Sequence, residues 1–122
     1  MSTTKGKTFE GSTGSTMLLI GTAHSADICH VTIAAGQGTL KRGTVLAVNA
    51  DEKCCILGTE NCTAAFILAE DADPADETDM VAPAYRSGDF NKGALLTKEG
   101  YTMTEQDIRD LRNGGIYLGN VM

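Results

Sequence analysis

The stretch "TAAFILAEDADPADETDMVAPAYRSG", residues 63–88, decides the fold. It opens with a continuous apolar run of strand length, which is typical of a strand covered on both faces. Acidic residues follow around Pro74, and a second extended segment, residues 80–88, comes after them. Because Pro83 cannot donate a ladder hydrogen bond, this second strand is predicted at a sheet edge or a bulge. The stretch as a whole therefore predicts strands rather than helices.

Six carboxylates between residues 70 and 79 raise the question of a metal-binding or catalytic site. A calcium loop that starts at Asp71 needs glycine at its sixth position and a carboxylate at its twelfth. Those positions hold Asp76 and Ala82, so the match fails. A hydrolytic carboxylate pair needs two rigid elements that face one cleft, whereas these residues share one loop. The acidic run is therefore interpreted as a solvated turn.

Further short strands are predicted along the chain. The segment "ICHVTIAA", residues 28–35, alternates with period two, which indicates a strand. Fourteen glycines favour turns and short strands over long helices. The remaining predicted strands are residues 44–50, 54–58 and 115–122. The predicted fold class is mainly β, a small β-rich single domain with one short C-terminal helix and a flexible N-terminal arm.

The predicted helix lies in "MTEQDIRDLRNGG", residues 103–115. Thr104 is a favourable N-cap residue, and Asp107 stands three residues later, as an approximate capping box requires. Gly114 offers the left-handed backbone conformation that ends many helices. These signals predict a helix that starts after Thr104 and stops at Gly114.

Length and charge limit the domain organisation and the partners. A chain of 122 residues fits one domain with a modest core. Residues 1–16 are small and polar, which predicts a flexible arm, and residues 17–122 form the predicted β-rich domain. The formal net charge of -6 argues against a nucleic-acid partner. No apolar run is long enough to span a membrane or to direct secretion, so no membrane partner is expected.

The four cysteines and two histidines could in principle converge on zinc. Structural zinc sites show paired ligands at short, fixed spacing, and these residues lack it. Buried thiols that behave as small hydrophobic groups are the simpler interpretation. A Cys–His dyad stays open as an alternative, although no local signature marks one, and no metal, cofactor or catalytic residue is assigned. The residues are Cys29, Cys54, Cys55, Cys62, His24 and His30.

Most of the predicted domain is similar to one known family. The likeness lies in three segments in this order: "VTIAAGQGTLKRGTVLAVNADEK" (31–53), "AAFILAEDADPADETDMVAPAYRSGDFNKGALL" (64–96) and "DIRDLRNGGIYL" (107–118). Together they resemble the head decoration proteins of tailed phages, the lambda-like family. The cysteines are a departure from the family's pattern.

The resemblance implies a structural virion protein rather than an enzyme. It implies a homotrimer that binds the major capsid protein on the outer surface of the phage head and stabilises the expanded shell. Such a protein is made in the host cytoplasm. The arm is implied to order on the capsid and to pair with a capsid strand. Within the arm we expect capsid binding by Lys5, Lys7, Thr8 and Phe9.

A second family remains an alternative. The segment "KRGTVLAVNADEK", residues 41–53, resembles the hairpin of lipoyl and biotinyl carrier domains. In those domains a glycine opens a strand and a modified lysine lies at the next turn, and Gly43 and Lys53 have a compatible separation. The residues around Lys53 depart from the carrier pattern, and no matching second hairpin follows. The carrier hypothesis predicts Lys53 as the acceptor.

Overall fold

A computed structural model of the protein describes residues 18–19, 26–74 and 77–119, and strands dominate it. The mainly β fold with one helix near the C-terminus is thereby confirmed. The predicted arm, residues 1–16, lies outside the described residues. The elements are β1 (Asp27–Ile33), β2 (Val45–Val48), β3 (Cys54–Ile56), β4 (Thr63–Leu68), β5 (Met80–Asn91), a 3-10 turn (Lys92–Ala94), α1 (Glu105–Gly114) and β6 (Ile116–Gly119).

The first five strands close into a small barrel. The strands are ordered β1-β3-β2-β4-β5-β6, and β1 also pairs with β5. The β1–β5 ladder is antiparallel and runs from Ile33 opposite Met80 to Ile28 opposite Tyr85, and after an irregularity it continues to Asp27 opposite Ser87. β6 adds outside the barrel, parallel to the last residues of β5. Closure on the opposite side of β1 depends on a single parallel pair, Ile33 with Cys54 of β3.

Two apolar cores form on the two faces of the barrel wall. One fills the barrel interior and includes Ile33, Leu46 and Leu68, all of them fully buried. The other lies between the outer face of the wall and α1, and it includes Ile67 and Leu111. Phe66, Ile67 and Leu68 of β4 therefore alternate between the two cores, because side chains alternate across a strand. This is the physical reason for the continuous apolar run that opens the stretch 63–88.

The start of α1 agrees with the sequence and its end does not. The Thr104 hydroxyl accepts a hydrogen bond from the Asp107 N–H, and the Asp107 carboxylate accepts one from the Thr104 N–H, which completes the capping box. The prediction of Gly114 as the left-handed cap is wrong. Gly114 is the last helical residue, and Gly115 is left-handed, with φ 106°. The chain needs this turn one residue later because Ile116 must start β6 beside Gly88.

The position of Pro83 also corrects an expectation. β5 is an interior strand, with β1 on one side and β4 on the other. Pro83 lies just beyond the ladder with β4, which ends at the pair Leu68 with Ala84. Its carbonyl accepts a hydrogen bond from Ala69 N–H (3.0 Å), so the carbonyl and the ring nitrogen of Pro83 both face away from β1. The missing N–H therefore removes no bond of the β1–β5 ladder.

Candidate functional site

The residues expected to bind a capsid, Lys5, Lys7, Thr8 and Phe9, lie outside the described part of the chain. The structure does fix the point to which they connect. Leu18 is buried in the outer core, and its carbonyl accepts a hydrogen bond from Asn91 N–H (2.7 Å). Leu19 forms an antiparallel bridge with Phe90. The chain therefore joins the barrel beside the end of β5.

Three carboxylates of the acidic run, those of Asp71, Asp73 and Asp79, accept hydrogen bonds from neighbouring loops. Asp71 accepts a hydrogen bond from Arg42 N–H (2.7 Å), and Asp73 accepts one from the Thr39 hydroxyl (3.3 Å). Asp79 reaches a different loop at the other end of the run. Among residues 18–19, 26–74 and 77–119, no three Asp, Glu, His or Cys side chains are grouped to hold a metal ion. Asp71 and Asp79 thus bond to backbone N–H groups of other loops, and Asp73 bonds to a side-chain hydroxyl.

Lys53, the acceptor in the carrier hypothesis, is held in an ion pair. Its Nζ lies 2.8 Å from an Asp79 carboxylate oxygen, and Asp79 also accepts a hydrogen bond from Ala35 N–H (2.9 Å). The hydrogen bond with Lys53, together with that from Ala35, lowers the pKa of Asp79, and the same hydrogen bond raises the pKa of Lys53. Lys53 thereby ties the β2–β3 turn to the start of β5.

The four cysteines are free thiols, and two of them are buried. Cys54 lies in the barrel interior, where burial raises the pKa of its thiol to about 12. Burial also raises the pKa of Cys62, which contacts Cys55. Because the thiolate is the nucleophile, these surroundings disfavour thiol catalysis at Cys54 and Cys62. Cys54 packs as the small hydrophobic group that the sequence suggested.

A slot opens beside β1 that the sequence did not reveal. Its volume is about 370 Å³, within the range of ligand-sized clefts. Val31, Val48, Cys54 and Phe66 supply its apolar surface, and His30, Thr32 and Glu52 supply its polar surface. Period-two alternation identified β1 as a strand, but alternation does not show which of its edges has no paired strand within residues 18–19, 26–74 and 77–119.

Two large apolar side chains are exposed next to this slot. Ile28 is 52% exposed and Val81 is 63% exposed. Both lie on the outer face of the β1–β5 pair, since Val81 is opposite Thr32 and Ile28 shares the face of Thr32. The slot and these two exposed side chains lie on the same β1–β5 part of the barrel.

A family model described as bacteriophage lambda head decoration protein D matches residues 8–115. The match covers the whole barrel, the helix and the last residues of the arm. The chain belongs to this head decoration protein family. Comparison with individual curated proteins gives no match.

Membership of the decoration family gives the chain a structural, capsid-associated role in the phage head. This result agrees with the family resemblance seen in residues 31–53, 64–96 and 107–118. The family match includes all of these residues except 116–118. The matched region also contains Lys53, so the segment that suggested a carrier hairpin is part of a decoration domain. Within the described residues, no helix is both long enough and apolar enough to cross a membrane.

Proposed function

We propose that this decoration protein binds the outer surface of the expanded phage head as a homotrimer and stabilises the shell by holding neighbouring major capsid proteins together. The family match over residues 8–115 is the observation that carries the proposal. Part of the proposal is the division into an arm, residues 1–16, and a domain, residues 17–122. The protein acts in the virion, after synthesis in the host cytoplasm, and does no chemistry.

Charge supports the outer rather than the inner surface of the shell. The chain has 16 acidic and 10 basic residues, and its formal net charge is -6. Packaged DNA repels such a surface, whereas phosphate binding requires clustered lysine and arginine. The same charge keeps free copies apart from one another in solution until a specific contact forms.

The arm provides a physical route to tight binding. An extended segment can add to a sheet edge of the capsid through main-chain hydrogen bonds, with Phe9 as an apolar anchor. Lys5 and Lys7 give the arm two positive charges, although the net charge of the chain is -6. Ordering each residue costs about 1–2 kcal/mol of backbone entropy, so one arm alone binds weakly. Three arms on one trimer raise the overall affinity by roughly 10² to 10⁴.

The test is binding to expanded capsids that lack their own decoration protein. Full-length protein is expected to sediment with them in multiples of three copies for each binding position, and to raise the temperature at which they rupture. Deletion of residues 1–16 is expected to weaken binding by orders of magnitude, because strand pairing and avidity are lost together. The deletion leaves the thermal unfolding of the free domain nearly unchanged.

A matched pair of variants separates the anchor from the arm in general. Phe9→Ala is expected to weaken capsid binding strongly, whereas Thr13→Ala, a truncation in the same arm, leaves it nearly unchanged. If the variant without residues 1–16 bound capsids as tightly as the full chain, the arm would not be the part that holds the protein on the capsid. A stable dimer bound to capsids would contradict the trimer.

A further inference from the structure

In the described part of the chain, the edge of β1 that borders the slot has no paired strand, because β3 starts too late to cover it; this edge is called the bare edge. The two strands are parallel, with Ile33 opposite Cys54. In that register residues 30–32 of β1 would lie opposite residues 51–53. Those residues form the β2–β3 turn instead, in which Glu52 adopts a left-handed conformation with φ 63°. Within residues 18–19, 26–74 and 77–119, β1 therefore has no neighbouring strand along this edge.

The backbone groups of His30 and Ile28 point away from β5, towards the side of β1 on which the slot lies. His30 is opposite Pro83, whose carbonyl is directed to Ala69, so the two residues form a pair that does not exchange hydrogen bonds. Ala34 is four residues after His30, so its backbone groups point to the same side of β1. Its N–H donates a hydrogen bond to the Cys54 carbonyl of β3 on that side (2.9 Å). Among the described residues, no strand pairs with β1 at Ile28 or His30 on this side.

The side chains around the bare edge are apolar with one acidic group at the rim. Val31, Val48 and Phe66 line the slot and are only partly buried. Glu52 is exposed and has no ion-pair partner within the described part of the chain. The bare edge from Ile28 to Val31 is about 13 Å long at roughly 3.3 Å per residue. These features match an extended polypeptide with apolar side chains at alternate positions and a lysine or arginine near Glu52.

We propose that an extended segment of the capsid subunit fills this slot and adds to β1 as a further strand. The inference rests on the proposed function and adds a second contact to that of the arm. Its main chain bonds to Ile28 and His30, its apolar side chains cover Val31 and Phe66, and its cation meets Glu52.

Two other occupants fit the slot less well. A second copy of the chain is acidic overall, with a net charge of -6, so its contact with the acidic rim is less favourable than that of a segment with a cation at this position, although the same copies meet at another surface in the proposed trimer. The chain's own arm contains Lys5 and Lys7, but the proposed function already commits these residues to the capsid surface. A capsid segment is the occupant that meets the charge, the apolar floor and the bare edge together.

Hydrogen exchange at single amides tests the inference on the full-length protein. Free protein and protein bound to expanded, decoration-free capsids are compared after sedimentation has shown binding. The amides of Ile28 and His30 are expected to exchange at least tenfold more slowly on the capsid. Cys29 and Val31 are internal controls, because their amides point to β5 and are protected in both states. The amide of Glu99, in an exposed turn, is expected to stay unchanged.

Each outcome of this comparison decides something. Binding without new protection of Ile28 and His30 would overturn the strand addition and leave the proposed function intact. A failure to bind capsids at all would remove the proposed function and this inference with it. Protection that appears in the free protein as its concentration rises would assign the slot to a second copy. The variant without residues 1–16 is compared only at a concentration at which sedimentation shows it bound to capsids, and loss of protection in that bound state would assign the slot to the arm. Both results would overturn the proposal.

A charge reversal provides an independent readout. Glu52→Lys is expected to weaken capsid binding roughly threefold to tenfold at low salt, with the difference shrinking as salt is added. Both residues accept the backbone strain at position 52 equally, since neither is glycine. Glu99→Lys makes the same change of charge at an exposed turn away from the slot, and binding should stay within a factor of about two. Equal effects of the two variants would show that only net charge matters.

Discussion

Adjacent glycines at the end of α1 are expected to respond in opposite directions to the same substitution. Gly114 is helical, and a Cβ added there meets no atom within 4 Å. Alanine restricts the unfolded chain and favours the helix, so Gly114→Ala should stabilise the protein by about 0.5–1 kcal/mol. Gly115 has φ 106°, and its added Cβ would lie 3.3 Å from the Ser87 Cβ. Gly115→Ala should therefore destabilise the protein by about 1–2 kcal/mol.

Chemical denaturation in urea measures both changes directly as free energies of unfolding. For a chain of 122 residues, each 1 kcal/mol corresponds to about 4 °C in the melting temperature. The two variants should therefore melt on opposite sides of the wild type. Gly115→Asn is a useful third member, because asparagine tolerates the left-handed conformation better than alanine and should lose less stability.

The reasoning would be refuted by one simple pattern. If Gly114→Ala destabilised the protein more than Gly115→Ala, Gly114 would be the left-handed cap and β6 would begin one residue earlier. Shifts of both variants in the same direction would also contradict the assignment, because the opposite signs follow from the backbone angles alone. The pair serves as its own control, since the two changes have the same chemistry and adjacent positions.

Three further expectations concern the core, the ion pair and the thiols. Phe90→Ala should lower the free energy of unfolding by about 3–5 kcal/mol in urea, because Phe90 is fully buried; a loss below about 1 kcal/mol would contradict its place in the core. Asp79→Asn should lower the melting temperature at neutral pH. Since the pKa of Asp79 is lowered, the difference from wild type should disappear as the pH falls below 3.8, its ordinary value, and since the pKa of Lys53 is raised, it should persist into alkaline solution. A disulfide-exchange reagent should modify Cys62 in the native protein well before Cys54, which should react only on unfolding; equal rates would contradict the burial of Cys54.

Local chemistry made several parts of this protein predictable from sequence. The period-two alternation in residues 28–35 and the continuous apolar run in residues 63–70 are patterns of consecutive residues. They can be read directly from the sequence, and both identified strands. The capping box of Thr104 and Asp107 acts over three residues and fixed the start of α1. The order of the three family-like segments identified the decoration family without any knowledge of the barrel.

Long-range pairing decided what the sequence left open. The conformation at Gly115 depends on where β6 must meet β5, and the tolerance of Pro83 inside the sheet depends on where β4 ends. The slot depends on a single parallel pair, Ile33 with Cys54, which places a turn where a strand would otherwise cover β1. Such pairings join residues far apart in the chain, and their register is chosen by the packing of the whole barrel. For that reason the sequence alone determined the strands, the helix start and the family, whereas the tertiary structure decided which edge of β1 has no paired strand among the described residues.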